Sequence, residues 1–184
     1  MFIRTRMGVS VDGFVATPDG VPVFVVMPGF VPHESYDWPA FDEQIDAVVL
    51  GRVALDAGLA ANEWPWPGKQ VFVLTSRPVP ADVPADVVVA DGRPQGLLER
   101  LRAANLTRDA FLLGGRSTLH AFLALGAVDR LELLEFPVLL GDGVPLSLPG
   151  TPQRRLKLEE HHAFPDGTIR HVYTLSSGGQ HEGY

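Results

Sequence analysis

The sequence predicts an α/β protein of three layers: a mixed, mainly parallel sheet with helices on both faces. Three observations predict it. Short apolar runs alternate with helix-patterned stretches through most of the chain, and strand-then-helix alternation calls for right-handed crossovers. The runs are apolar at every position rather than every second one, as strands covered on both faces require. Each run closes on glycine, aspartate or a Ser/Thr turn, the punctuation of a strand end.

The elements follow in order. Phe2 to Val11 is β-rich and stops at Asp12-Gly13. Thr17 to Pro39 is rich in Pro and Gly and reads as a long loop, with Val23 to Met27 as a short extended piece. Ser35 to Ile45 reads as a helix, with Phe41 and Ile45 on one face. Ala47 to Leu50 is a strand closed by Gly51-Arg52, and a helix-compatible stretch comes next. Val71 to Thr75 closes at Ser76-Arg77-Pro78, and Val87 to Ala90 at Asp91-Gly92. Gln95 to Asn105 places Leu97, Leu98 and Leu101 on one helical face. Phe111 to Leu113 ends at Gly114-Gly115. Ser117 to Leu125 then places Leu119, Phe122 and Leu123 together and stops at Gly126.

The last third changes character. Leu131 to Leu140 is a long run broken by Pro137. Arg155 to His162 and Thr168 to Leu175 alternate about a turn at Phe164 to Gly167, the pattern of an antiparallel hairpin. One domain over residues 1–176 and a flexible polar tail over 177–184 are expected.

Composition narrows the function. Hydrophobic residues are 46% and charged residues 20%, which excludes a disordered chain. The net charge of −7 disfavours nucleic acid and membrane surfaces, both polyanionic. Zero cysteines exclude disulfides, a thiolate nucleophile and cysteine-ligated metal. The start, MFIRTRMGVSVDG, has no unbroken apolar stretch, so a cytoplasmic protein is expected. No metal site is expected either: H-E-x-x-H is absent, and His161 and His162 are adjacent on a strand and point to opposite faces.

Ligands of open α/β sheets bind beyond the carboxyl ends of the strands. Those ends carry Asp12-Gly13, Gly51-Arg52, Thr75-Ser76-Arg77 and Gly114-Gly115-Arg116-Ser117. Two are glycines followed by a cation and a helical stretch, a pattern suited to phosphate because a helix start offers unpaired N–H groups and a positive dipole end. Thr75-Ser76-Arg77 offers a cation, two hydroxyls and no carboxylate, which favours a ribose 2′-phosphate over a bare 2′-hydroxyl. Each turn also has a plainer reading: a βα turn needing positive φ, a solvated arginine, a polar loop start. The phosphate reading requires all three turns to converge.

Five stretches carry a family resemblance: SVDGFVA (Ser10 to Ala16), VVLGR (Val48 to Arg52), VFVLTSR (Val71 to Arg77), LLGGRSTL (Leu112 to Leu119) and GAVDRLELLEFPVLLGDGVPL (Gly126 to Leu146). In order and spacing the chain resembles the dihydrofolate reductase-like superfamily, and within it the C-terminal reductase domain of bifunctional riboflavin-biosynthesis proteins and their stand-alone relatives. The resemblance implies a dihydrofolate reductase-like fold, NADPH as cofactor, a small heterocyclic or carbonyl substrate and often a homodimer. It places the nicotinamide carboxamide at Val15 and Ala16 and the adenosine 2′-phosphate side at Gly51, Arg52, Thr75, Ser76 and Arg77. The pyrophosphate falls at Gly114, Gly115, Arg116 and Ser117. One departure stands out: the family's Gly-Arg-x-Thr-Tyr-Glu reads Gly51-Arg52-Val53-Ala54-Leu55-Asp56 here.

Hydride transfer also needs a proton. The candidates are Asp12 beside the first turn, Asp42 and Glu43 on the first helix, Glu135 within an apolar strand, and water. Dihydrofolate reduction and a non-catalytic NADP-binding module are the alternative functions.

Overall fold

The computed structural model describes residues 1–81, 83–84, 87–90, 92–151 and 153–175; the expected tail over 177–184 lies outside the described residues. Strand β1 (Ile3–Ser10) leads into a short β2 (Phe14–Ala16), a 3-10 turn at Val23–Val26 and helix α1 (Trp38–Asp42). Then come β3 (Ile45–Gly51), α2 (Arg52–Leu59), β4 (Gln70–Leu74), β5 (Val88–Ala90) and α3 (Pro94–Ala103). Next are β6 (Asp109–Gly114), α4 (Arg116–Ala124), β7 (Arg130–Phe136), β8 (Val144–Pro145), β9 (Leu156–Ala163) and β10 (Ile169–Leu175).

The main sheet has eight strands in the order β5-β4-β3-β6-β1-β7-β10-β9. The first six are mutually parallel; β10 runs antiparallel to β7, and β9 antiparallel to β10. The appended hairpin is therefore present. β2 and β8 form a small second sheet.

Helix placement follows from side-chain parity. Leu97, Leu98 and Leu101 of α3 and Leu119 and Phe122 of α4 bury against Ile3, Ala47, Val49, Ala110 and Leu112. Phe41 of α1 and Leu55 of α2 bury on the opposite face against Val48, Leu50, Val71, Val73 and Phe111. Each such aliphatic or aromatic side chain contributes about 1.5–3 kcal/mol by leaving water. Pro94 opens α3 at a position where its missing N–H costs nothing.

Two expectations are corrected. The helix predicted over Ser35 to Ile45 is only Trp38–Asp42. Asp37 sits at φ 58 and cannot be helical, and Ile45 is already the first residue of β3. The piece at Val23 to Met27 is not extended but a 3-10 turn over Val23–Val26. Val25 N–H donates to the Pro22 carbonyl, and Val23 is fully buried with Leu134 and Phe136.

The face under α1 holds a buried charge cluster. Arg6 lies opposite Glu132 in the β1–β7 pairing. Arg6 Nε and Nη2 donate to Glu132 Oε2 at 3.0 and 2.8 Å, and Arg4 Nε and Nη2 donate to Oε1. Both guanidinium groups lie over the Phe41 ring. Arg6 Nη1 also reaches the Tyr36 carbonyl at 3.2 Å, which ties the long loop to the sheet.

The topology makes a crevice. β3 continues through α2 on one face toward β4; its neighbour β6 continues through α4 on the other face toward β7. Adjacent strands whose connections depart in opposite directions form the switch point where open sheets take ligands. On the far side of β6, β1 pairs only at Ile3 with Ala110 and Arg4 with Phe111. Beyond those rungs β1 and β6 are not paired with each other, while β1 stays paired with β7 and β6 with β3.

Candidate functional site

The three predicted turns meet. Gly51 pairs with Leu74 and Leu50 with Gly114, so the ends of β4, β3 and β6 lie side by side. Contact across the switch point is close: a Cβ built on Gly51 would stand 2.8 Å from Thr118 Oγ1 of α4. Only glycine allows this approach of α2 to α4.

Gly114 sits at φ +100, a conformation that favours glycine, and the Gly114–Gly115 peptide is cis. A Cβ added to Gly114 or Gly115 would meet nothing within 4 Å. The backbone here borders open space, which any side chain would fill. No side chain caps the first turn of α2 or of α4. Their leading N–H groups and positive dipole ends are left for a ligand. Ser117 is exposed and Arg116 half-buried at the start of α4, and neither has an ion pair among the described residues. Two open helix starts, two glycines and a cation suit a diphosphate.

On the β4 side, Ser76 and Arg77 are exposed, and Arg77 has no ion pair among the described residues. Thr75 is buried and shapes its own turn: its Oγ1 accepts from Arg77 N–H at 3.1 Å and donates to the Arg77 carbonyl at 3.3 Å. Arg52 is likewise committed. Its Nε donates to Asp56 Oδ1 at 2.6 Å, and its Nη1 donates to the Pro78 carbonyl. Arg52 thus ties the start of α2 to the loop that carries Arg77. The Ala54 methyl, which stands where the family has threonine, packs against the core under α2.

β2 follows β1 through a turn in which Ser10 Oγ accepts from Phe14 N–H at 3.0 Å. Val15 is half-buried there, and Ala16 is bridged to both Val144 and Pro22.

The acid candidates are not brought to this crevice as acids. Asp12 accepts hydrogen bonds from Ser10 Oγ at 2.6 Å, Leu140 N–H at 3.2 Å and Gly141 N–H at 2.7 Å. The Ser10 hydroxyl, helped by those amides, holds its carboxyl below the usual aspartate range. Asp12 thereby ties the β1 turn to the 138–141 loop. Asp42 lies on α1, at the amino end of β3, paired with Lys69 at 3.0 Å; Glu43 beside it is exposed. Glu135 is half-buried and points to the α3/α4 face, on the same rung as Val9 and Ile169. The fully buried carboxylate of β7 is Glu132, three residues away and on the opposite face. Arg4 and Arg6, two cations on one face of a buried strand, are the sequence signal that points to it.

A second feature was not foreseen. An open cleft of about 650 Å³ lies between α1 and the loop that follows α2, with His33, Trp38, Glu63 and Trp64 among its walls.

Comparison with known proteins places the fold and the family. The model of the RibD C-terminal domain matches residues 1–170. The uncharacterized protein YyaP of Bacillus subtilis (strain 168) is 26% identical over 178 residues, covering 91% of each chain. A solved structure from Shewanella sp. PV-4, named for riboflavin biosynthesis, is 25% identical with a TM-score of 0.79, covering 96% of this chain and 99% of that one. Acinetobacter baumannii RibD shares the fold at 18% identity and a TM-score of 0.72; the match covers 95% of this chain and 58% of that longer one. With the family model matching nearly its whole length, this chain belongs to the RibD C-terminal domain family.

Proposed function

We propose that this protein is an NADPH-dependent reductase of the riboflavin-pathway type, acting on a heterocyclic, carbonyl or imine carbon of a small substrate. The observation that carries the proposal is the convergence of Gly51, Gly114-Gly115 and the 75–77 turn on one crevice. NADPH, when bound, supplies the hydride. The N–H groups opening α2 and α4 hold the diphosphate, with Arg116 and Ser117 at its edge. Arg77 and Ser76 hold the 2′-phosphate, and Arg52 positions Arg77 by gripping the Pro78 carbonyl. Val15 and Ala16, beside the β1–β2 turn, line the nicotinamide end. Water delivers the proton, because Asp12 is held as an acceptor and Glu135 faces away.

The test is a titration of the protein with NADPH, followed by NADPH emission. Saturable binding supports the proposal; no change in emission removes it. One observation favours a second reading, a non-catalytic NADP-binding module: the Asp12 carboxylate is taken up by hydrogen bonds from Ser10, Leu140 and Gly141. Tight NADPH binding without turnover on pterins, flavin precursors, quinones or carbonyls would select that reading.

The proposal includes a cytoplasmic setting and a homodimer. Among the described residues, no helix is long and apolar enough to cross a membrane. β7 and β10 are internal strands, yet Leu131, Leu133, Ile169 and Tyr173 are only half-buried on the α3/α4 face. A second copy laid on this apolar half of the sheet would cover them. Sedimentation equilibrium at the dimer mass supports this, and a monomer at micromolar concentration removes it.

A further inference from the structure

We propose that a trough along α4 binds a small carboxylic acid with an apolar body, the acid group seated at Arg154. The inference goes beyond the reductase reading and does not depend on it.

The chain builds this trough by itself. Its floor is Leu131 of β7, Leu156 of β9 and Leu175 of β10, and its helix wall is Leu119 and Leu123 of α4. Leu146 and Leu148, on the segment joining β8 to β9, close the far side. That segment is tied to α4 at two points. Thr151 Oγ1 gives its one proton to the Leu148 carbonyl at 2.7 Å, so it accepts from His120 Nδ1 at 3.3 Å. Arg154 Nη2 donates to the Leu123 carbonyl, in the last turn of α4, at 2.8 Å. The space left between helix, sheet and segment has a volume of about 170 Å³. A cavity of about 150 Å³ with apolar walls takes one benzene ring, which sets the size of the apolar body.

The charged groups on the trough have one sign. Arg116, His120 and Arg154 line it, and no aspartate or glutamate does, in a chain of net charge −7. Among the described residues, neither arginine has an ion pair. Arg154 Nε is buried and has no hydrogen-bond partner. A buried N–H without an acceptor is costly, and the leucines around it offer none. A carboxylate supplies that acceptor in a charge-assisted bond. Arg116, two turns of α4 away and about 10 Å along its axis, keeps the potential positive at the other end. The ligand class implied is a monocarboxylic acid whose body is one ring or a short branched alkyl chain. An amide of the same shape offers a weaker acceptor, and a protonated amine offers none.

The experiment titrates the full chain with phenylacetate, phenylacetamide and phenethylammonium by isothermal titration calorimetry. Saturable binding of the acid, at least about fivefold tighter than the amide, is expected, with no saturable binding of the amine. Arg154→Met should bring acid and amide within about twofold of each other. Because Arg154 also caps α4, Leu148→Trp is the second variant. It fills the trough, leaves the cap, and should weaken the acid at least about fivefold. Arg77→Ala, at the crevice, should leave the acid's affinity unchanged. No saturable binding of the acid, equal binding of the amide or the amine, or indifference to either trough substitution overturns the inference. Weakening by Arg77→Ala would seat the acid in the crevice and overturns it too. Repeating the titration at rising protein concentration tests the other occupant. A constant affinity supports the inference, whereas an affinity that falls as the chain self-associates gives the trough to a second copy and overturns it.

Discussion

Gly51 and Thr118 are in contact across the switch point, the end of β3 against the first turn of α4. A Cβ on Gly51 would come to 2.8 Å of Thr118 Oγ1, and Thr118 is itself buried. Gly51→Ala should destabilise the protein by about 1–3 kcal/mol and weaken NADPH about tenfold by parting the two helix starts. Thr118→Ala, added to Gly51→Ala, should recover most of both losses. A double-mutant cycle by urea unfolding and NADPH titration measures this, and additive losses would show that the two residues do not share the contact.

Glu132 is buried between Arg4 and Arg6, and removing it leaves Arg6 without its counter-ion and Arg4 with only Asp109 at 3.4 Å. Glu132→Ala should cost about 3–5 kcal/mol, lowering the urea midpoint by about 1.5 M. Because Arg6 also holds the Tyr36 carbonyl, the long loop should loosen with it, seen as faster amide exchange near Tyr36. A loss under about 1 kcal/mol would mean the cluster is replaceable.

Both Asp12 and Asp46 have carboxyls held below the ordinary aspartate range, the first mainly by the Ser10 hydroxyl and the second mainly by the Thr107 hydroxyl. A folded-state value below the unfolded value of about 3.9 stabilises the fold above that pH and is lost as pH falls through the folded value. These two groups therefore leave the urea midpoint unchanged from pH 5 to 8 and lower it below about pH 4. In Asp12→Asn the acid drop should be shallower. Turnover should persist in this variant near pH 7, since Asp12 is a staple; loss of turnover with the fold intact would restore it as the acid.

The strand ends were readable because their chemistry is local. VFVLTSR and FLLGGRS each carry a strand, its stop and the opening of the next segment within seven residues, and both strands form there. Residues 17–39 were not readable in this way. The loop's path depends on Val23 entering the pocket formed by Leu134 and Phe136, and on the Tyr36 carbonyl reaching Arg6. The helix at Ser35 to Ile45 failed for the same reason: Tyr36 and Asp37 both take positive φ, against local propensity. Glu132 and Glu135 both interrupt one apolar run, and the register that sets Arg6 opposite Glu132 buries that carboxylate rather than Glu135. At the three converging turns, residue types were legible but commitments were not. Arg52 and Thr75 spend their polar groups on the protein, whereas Arg77 is exposed and has no ion pair among the described residues.

Cofactor discrimination tests the convergence of the three turns most directly. Titration of the wild type with NADPH and NADH should show a preference for NADPH of about 10- to 150-fold, the worth of a charge-assisted contact of about 1.5–3 kcal/mol. Arg77→Ala should bring the ratio close to one while leaving NADH affinity unchanged. Equal affinity of the wild type for both cofactors, or a preference untouched by Arg77→Ala, would contradict the account.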